Sequence, residues 1–421
     1  MYMKRFVPKK LLSLYHLVWA YLGATFYGFP SKKLFVIAVT GTKGKSTTAE
    51  LVRAILTEAG YKVALASTIR FAIGEESEPN LFKMTMPGRA YLQGFLRKAL
   101  DTGCTHTVVE MTSEGVVQHR HRAIELDALI FTNLQPEHIE SHGSIEKYAA
   151  AKLLLAQALE RSPKRPRYVV ANRDDEYGEK FLAAKVEVRV PFGLADAEPY
   201  TADDRSVRFV YKKGPLFTAP LPGVFNLKNI LAAVALCEAM GIPQDTMRRA
   251  LEHIAPVAGR AQRVERGQNF AVVVDYAHTP DSLRALYETF ANNKTICVLG
   301  NTGGGRDTWK RPDMGRIAEE YCAQVILTNE DPYDEDPQKI VEEMRAGMRR
   351  EPVIILNRRA AIAAALLEAQ TLGQARGDQD VAVLITGKGT DPYLMGPRRA
   401  KEVWSDKQVV EEELDKLLHK K

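Results

Sequence analysis

The run TGTKGKST, residues 40–47, sets glycines, hydroxyls and lysines in the order a phosphate cradle needs. Gly41 and Gly44 let backbone N–H groups approach phosphate oxygens, and a helix opening at Lys45 adds the positive field of its N-terminus. Lys45 offers a point charge to the terminal phosphates and Ser46 a hydroxyl to Mg²⁺, with Thr42, Lys43 and Thr47 completing the loop. Val39 stands where the common P-loop has its first glycine, so the pattern is a variant. ATP or another nucleoside triphosphate is the expected ligand.

Further along, HTVVEMTSEG (106–115) puts Glu110 at the end of an apolar run, where α/β proteins present ligands. A carboxylate there suits Mg²⁺, which takes few protein oxygens and shares the rest with phosphate and water. FTNLQPEHIESHG (131–143) places His138 among acids after another apolar run, and Lys152 follows on a helix. By themselves, a loop histidine is more often structural than a ligand, and Lys152 reads as a solvated lysine. TNEDPYDEDP (328–337) packs five carboxylates around one tyrosine, which suits either a solvated loop or a site for a cation.

These residues must be held by alternating strands and helices. KLFVIAVT (33–40) reads as a buried strand, and a helix from Lys45 runs toward Gly60. KVALAST, HTVVEM and ALIFTN are further short strands separated by helical stretches, which predicts a mostly parallel α/β sheet. RSPKRPR (161–167) reads as a surface loop. A second alternation starts at FAVVVDY (270–276) and continues through TICVLG, AQVILTN, PVIILN and VAVLITG. IAPVAGRAQRVERGQ (254–268) is the expected linker. The predicted organisation is therefore a helical segment over 1–31, a P-loop ATPase-type domain over 32–255 and a Rossmann-like α/β domain over 256–421.

The composition, 45% hydrophobic and 26% charged, is that of a globular chain, and a net charge of +6 over 421 residues does not mark a nucleic-acid binder. The four cysteines are far apart with no C-x-x-C pair, so neither a zinc cluster nor a disulfide framework is expected and a cytoplasmic location follows. At the front, Lys4, Arg5, Lys9 and Lys10 precede LLSLYHLVWAYLGATFYGF (11–29), and Lys32 and Lys33 follow it. As a helix this segment is apolar nearly all round, with a narrow seam of Ser13, His16, Ala20, Gly23 and Tyr27. An interfacial or substrate-docking helix, a helix packed on the protein and a bilayer span remain open, with peripheral membrane association through residues 1–30 among the expectations.

TGTKGKST, the strand-end Glu110, FTNL followed by His138, Lys152, GVFNLKN (223–229), the pair Gly259–Arg260 and DYAHTP (275–280) together resemble the Mur ligases. GGGRDTWKRPDMG (303–315) and GKGTDPY (387–393) resemble the family's UDP-N-acetylmuramoyl-tripeptide synthetase branch, and the likeness runs from about Lys33 to about Asp406. The resemblance implies an ATP- and Mg²⁺-dependent amide ligase of peptidoglycan synthesis. In such an enzyme a muropeptide carboxylate attacks the γ-phosphate of ATP, and an amino acid's amine then attacks the acyl phosphate. It further implies Ser46 and Glu110 as Mg²⁺ ligands, His138 at a second metal position, and Lys152 as a carbamylated lysine facing the metals. Asn226, Arg260, Asp275 and His278 match positions around the nucleotide. Thr85, Met86, Ser113, Gln118 and Arg120 fall in muropeptide-contacting segments, and Arg306, Glu330, Asp331, Tyr333, Gly387 and Asp391 in those facing the incoming amino acid. Asn226 also suits a helix cap, and Gln118 and Arg120 an ordinary surface.

The departures are informative. Met86 replaces a threonine, Glu114 a histidine, and Glu137 and Glu140 aspartates. The family carries a uridine-nucleotide domain before the P-loop, where about thirty residues stand here. Tyr333 occupies the position of an arginine that grips the distal carboxylate of diaminopimelate, and Thr390 and Asp391 replace a histidine and a glutamate. With Glu330, Asp331 and Asp334 alongside, the expected co-substrate is a basic diamino acid such as lysine, and the acidic stretch a cation-selecting pocket wall. Three rivals are a folate polyglutamate ligase, a lipid-linked muropeptide amidating ligase and a catalytically silent nucleotide-binding module. DYAHTP with GGGRDTWKRP opposes the first, and the missing cysteine cluster the second. Retention of Lys45, Glu110, His138 and Lys152 opposes the third.

Overall fold

The computed structural model describes residues 9–88, 90–137, 139–305, 307–376 and 380–419. His138 and Arg306, both singled out above, lie outside the described residues, as do residues 1–8. The chain divides into two compact units. The first comprises residues 1–201, 208–220 and 225–254, and the second residues 202–207, 221–224 and 255–421.

The first unit is built on an eight-stranded sheet: β1 (Phe35–Thr40), β2 (Val63–Ala66), β3 (Arg70–Ile73), β4 (Glu76–Pro79), β5 (His106–Glu110), β6 (Ala128–Phe131), β7 (Tyr168–Asn172) and β8 (Val188–Phe192), in spatial order β4-β3-β2-β5-β1-β6-β7-β8. β1 pairs in parallel with β5, Val39 opposite Glu110, and with β6, Thr40 opposite Phe131. Its residues Val36–Thr40 are buried because helices cover both faces of a parallel sheet, which is why the strand reads as an unbroken apolar run. The first strand lies inside the sheet and the chain returns on both sides of it. Its carboxyl end is therefore a topological switch point, where α/β sheets open a crevice for ligands. The antiparallel hairpin β3–β4 extends the edge.

Helix α1 (Lys9–Phe26) precedes this sheet, and α2 (Lys45–Glu58) follows β1 directly. A small sheet of β9 (Tyr200–Ala202), β10 (Val207–Val210) and β11 (Leu216–Ala219) comes later in the chain. Nothing in the sequence pattern had marked it.

The second unit carries β12 (Gln262–Arg263), β13 (Ala271–Val274), β14 (Lys294–Leu299), β15 (Gln324–Leu327), β16 (Val353–Ile354) and β17 (Val381–Ile385), ordered β12-β13-β17-β14-β15-β16. All its pairings are parallel except β12 with β13. The expected linker at 254–268 is thus partly structured, since Gln262 and Arg263 form an antiparallel edge strand on β13. A two-stranded ribbon of β18 (Tyr393–Met395) and β19 (Lys401–Val403) closes the list of strands.

The cysteine reading requires correction. Cys297 on β14 and Cys322, just before β15, form a disulfide with Cα atoms 6.1 Å apart. Their separation of 25 residues hid a proximity that the parallel pairing of β14 with β15 creates. Cys104 and Cys237 are buried thiols.

Candidate active site

The phosphate loop leaves the buried carboxyl end of β1 and turns at Gly41 (φ 149°) and Gly44 (φ 80°), conformations that favour glycine. Space imposes the same choice. A Cβ on Gly41 would lie 2.0 Å from Thr132 Oγ1, and one on Gly44 2.0 Å from Asn229 Oδ1. The loop is fixed from outside: Asn133 O accepts from Thr42 N at 2.8 Å, and Asn133 Oδ1 accepts from Lys43 N at 2.9 Å. Lys45 Nζ donates to Thr42 O at 2.9 Å, which folds the lysine over the loop. Lys43 pairs with Glu137 at 2.9 Å.

Glu110, buried at the end of β5, receives Ser46 Oγ on one oxygen at 2.9 Å. Thr68 N donates to the same oxygen and Thr68 Oγ1 to the other, each at 2.9 Å. Thr68 Oγ1 also lies 2.7 Å from Thr85 Oγ1, so the residue that fixes the carboxylate reaches a predicted acceptor contact. A serine hydroxyl and a carboxylate facing each other beside a phosphate loop form a hard-oxygen pair that fits Mg²⁺ sharing its shell with phosphate and water. Ser46 and Glu110 would hold the ion, which supplies charge neutralisation at phosphoryl oxygens when bound.

Lys152 is not the solvated lysine its sequence setting suggests. It is 1% exposed, donates to Gly41 O at 2.6 Å and lies over the Tyr148 ring at 4.6 Å. Burial pushes its amine well below the usual lysine range, and Lys45 pushes the same way against the pull of Glu137 and Glu110. A buried amine with a lowered pKa exposes its lone pair, the form that reacts with CO₂.

Beside the predicted acceptor residue Ser113, Thr112 caps the short helix Ser113–Val117 by accepting from Gly115 N. Met86 is 1% exposed, and a Cβ on Gly115 would lie 2.4 Å from its Sδ, so the methionine and the glycine fit each other. Ser113 Oγ lies 3.1 Å from His142 Nε2. Arg120 donates to Met86 O and to Gln118 Oε1, which joins three of these residues in one patch. Asn226 is buried on the helix Val224–Ala239, its Oδ1 accepting from Asn229 Nδ2 at 3.3 Å. Through Asn229 it stands next to the loop at Gly44.

The second unit gathers another set. Asp275 accepts from Ala261 N and Ala277 N, each at 2.6 Å, and so ties the turn after β13 to the start of β12. Arg260 lies over the Tyr276 ring at 4.5 Å. His278 Nδ1 is 2.7 Å from Tyr276 O.

The acidic stretch is mostly scaffold, which corrects the expectation of a carboxylate-lined wall. Asp331 Oδ1 accepts from Lys388 Nζ at 2.8 Å and Met395 N at 2.9 Å. Asp334 accepts from Arg398 N at 2.6 Å, Glu335 pairs with Arg311 at 2.6 Å, and Asp336 caps the helix Pro337–Arg345. Asp391 lies 3.2 Å from the same buried Lys388, so two of the predicted amino-acid contacts already neutralise a lysine. Glu330 differs. One of its oxygens accepts from Thr302 Oγ1 at 2.6 Å, while the other is buried without a partner among the described residues. That second oxygen faces Gly387 (φ 106°), where a Cβ would lie 2.4 Å away. Burial raises the Glu330 pKa against the pull of Lys388. Tyr333 takes φ 53° beside Gly304.

The sequence did not mark Thr68, Tyr148 or Lys388 as site components. Their roles depend on which strands become neighbours; only the position of Lys388 inside GKGTD gave a hint.

Comparison with known proteins identifies the family. A family profile for the Mur ligase middle domain matches residues 39–237, and one for the Mur ligase glutamate ligase domain matches residues 259–389. A UDP-N-acetylmuramoyl-L-alanyl-D-glutamate–2,6-diaminopimelate ligase of Geobacillus kaustophilus is 36% identical over 402 residues, covering 92% of this chain and 80% of the relative. One of Syntrophomonas wolfei is 35% identical, covering 93% and 81%. A solved ligase of that name superposes with a TM-score of 0.61 at 27% identity, over 92% of this chain and 79% of the other. A Mycobacterium tuberculosis folylpolyglutamate synthase shares the fold, with a TM-score of 0.73 at 17% identity over 96% of each chain. The chain belongs to the Mur ligase family and is an ATP-dependent ligase.

Proposed function

We propose that this ligase joins an amino acid to a muropeptide acceptor through an acyl phosphate, in peptidoglycan synthesis. The observation that carries this reading is the buried loop after β1, with Ser46 on Glu110 at 2.9 Å and Lys152 on Gly41 O at 2.6 Å. Phosphoryl transfer asks mainly for positioning and charge neutralisation. The loop amides and Lys45 hold the phosphates, and Glu110 and Ser46 are the Mg²⁺ ligands. Carbamylated Lys152, the product of its neutral amine and CO₂ with loss of a proton, turns a buried neutral amine into an anion facing the same place. His138 is assigned the second metal position on resemblance alone. Asn226, Arg260, Asp275 and His278 are assigned to the nucleotide, and Thr85, Met86, Ser113, Gln118 and Arg120 to the acceptor.

The co-substrate we infer is a basic diamino acid. Tyr333 brings no charge for a distal carboxylate. Around Glu330 the cations Lys388 and Arg358 are already paired, Lys388 with Asp331 and Asp391 and Arg358 with Asp406. The second Glu330 oxygen, unpartnered among the described residues, is the acceptor we assign to a substrate ammonium. Gly387 and Tyr333 complete the proposed pocket, and Arg306 is assigned to it on resemblance alone. The diaminopimelate named in the relatives favours a second reading, in which that diacid is the substrate here too. The protein is placed in the cytoplasm with peripheral membrane contact. Leu14, Val18 and Leu22, 55, 45 and 55% exposed along one side of α1, support that contact, and no helix among the described residues is long and apolar enough to cross a membrane.

A phosphate-release assay with ATP, a UDP-linked muropeptide and candidate amino acids tests the ligase reading. Release that needs all three supports it; release indifferent to acceptor and amino acid rejects it.

A further inference from the structure

Helix α1 is held on the first unit by its small and polar seam. A Cβ on Gly23 would lie 2.2 Å from Ala90 Cβ, one on Gly94 would lie 3.0 Å from the Tyr27 ring, and Ser13 Oγ lies 2.7 Å from His119 Nε2. Between α1 and the segments 82–88, 90–93 and 118–122 this docking leaves a groove of about 850 Å³. Leu12, Trp19, Phe82 and Tyr91 give it an apolar lining, with Trp19 40% and Phe82 45% exposed.

Its polar groups are few and underused. Gln93 is 3% exposed and lines the groove, yet its Oε1 has no partner among the described residues. Arg120 and Arg122 also line it. The Nε of each is buried without a partner among the described residues. Arg120 spends its other nitrogens on Met84, Met86 and Gln118 with Glu114 acting on it from a distance, whereas the Arg122 guanidinium has no hydrogen-bond or ion-pair partner among the described residues. An apolar trough with exposed hydrocarbon beside the Arg122 guanidinium, which lacks a described partner, favours an occupant that covers the hydrocarbon and brings an anion. The occupant that satisfies both is an anionic amphiphile, with a hydrocarbon chain along α1 and phosphate oxygens on Arg122. Arg120 also belongs to the acceptor patch through Met86 and Gln118, so the groove continues into the proposed acceptor site.

We infer that the acceptor is carried on a hydrocarbon chain through a phosphate or diphosphate link, and that this groove holds the carrier. The inference rests on the ligase reading and deepens it by assigning the acceptor's class.

Farnesyl diphosphate serves as the probe, titrated calorimetrically into the full chain without ATP or amino acid. It is expected to bind at least about tenfold more tightly than farnesol or inorganic diphosphate, a difference of about 1.4 kcal/mol. Trp19→Asp and Arg122→Glu should each weaken it about tenfold or more while ATP affinity stays unchanged, which shows that both variants fold. Equal binding of farnesol, no binding at all, or no effect of either variant would overturn the inference. So would adsorption to phosphatidylcholine vesicles that accounts for all lipid binding and survives Arg122→Glu, since α1 would then be a surface anchor only. If ATP-dependent ligation of a UDP-linked acceptor persists while farnesyl diphosphate fails to bind, this inference falls and the ligase reading stands.

Discussion

At the scale of single residues, the proposed mechanism gives two lysines different tasks. Lys45 folds over the phosphate loop onto Thr42 O, and Lys45→Ala should leave a folded chain. Ligation should drop at least about a hundredfold, in line with the loss of a preorganised charge at a transferring phosphoryl group. Steady-state phosphate release with circular dichroism of the variant checks it. Lys152→Ala should also be inactive but recoverable in part by a short carboxylic acid that fills the vacated space, read in the same assay; an unrescued variant with full activity rejects the carbamate. Lys45 was legible because its loop is local in sequence. Lys152 was legible only through family resemblance, since nothing near it announces that Tyr148 and Gly41 will enclose it.

Histidines set a pH dependence at this same scale. Burial brings His121 down to about 3 and His106 down to about 4, so both fold as neutral rings. The unfolded chain binds more protons than the folded one between those values and the ordinary histidine pKa of about 6.5. Stability should therefore be fully present above that pH and fall as the pH drops toward 4, by up to about 1.4 kcal/mol per pH unit for each histidine. Urea unfolding at pH 7 and pH 5 measures it, and His121→Leu should flatten the slope by up to one histidine's share.

Elements explain what the sequence could and could not disclose. The apolar runs of β1, β5, β6, β14 and β17 were readable because parallel strands covered on both faces lose their alternation. β16, read as PVIILN, shrinks to Val353–Ile354, and the edge strand β12 emerged from an expected linker. Edge strands carry little pattern of their own. The acidic stretch shows the same limit at another level: its charge was visible, but Lys388, Arg311 and Arg398 as partners were not. The seam on α1 was readable and is the face turned to the protein. Gly23→Val should therefore displace α1 from its seat against Ala90, seen as faster hydrogen exchange over Lys9–Phe26 with the β1–β5 amides still protected. In the second unit, reducing Cys297–Cys322 should lower stability by about 3 kcal/mol through the closed loop it releases, measured by denaturant unfolding with and without reductant.

At the scale of the whole molecule, two α/β units each present loops at the carboxyl ends of parallel strands, and the family likeness spans both. The phosphate loop, Glu110 and Lys152 sit in the first, and Glu330, Tyr333 and Gly387 in the second. The most direct test of the central claim is one reaction of the full chain with ATP, a muropeptide acceptor and equimolar lysine, ornithine and meso-diaminopimelate, read by mass spectrometry. The account predicts a product heavier by one basic diamino acid residue, with one ADP formed per product. Preferential incorporation of diaminopimelate would contradict the proposed specificity, and ATP consumption without any ligated product would contradict the function itself.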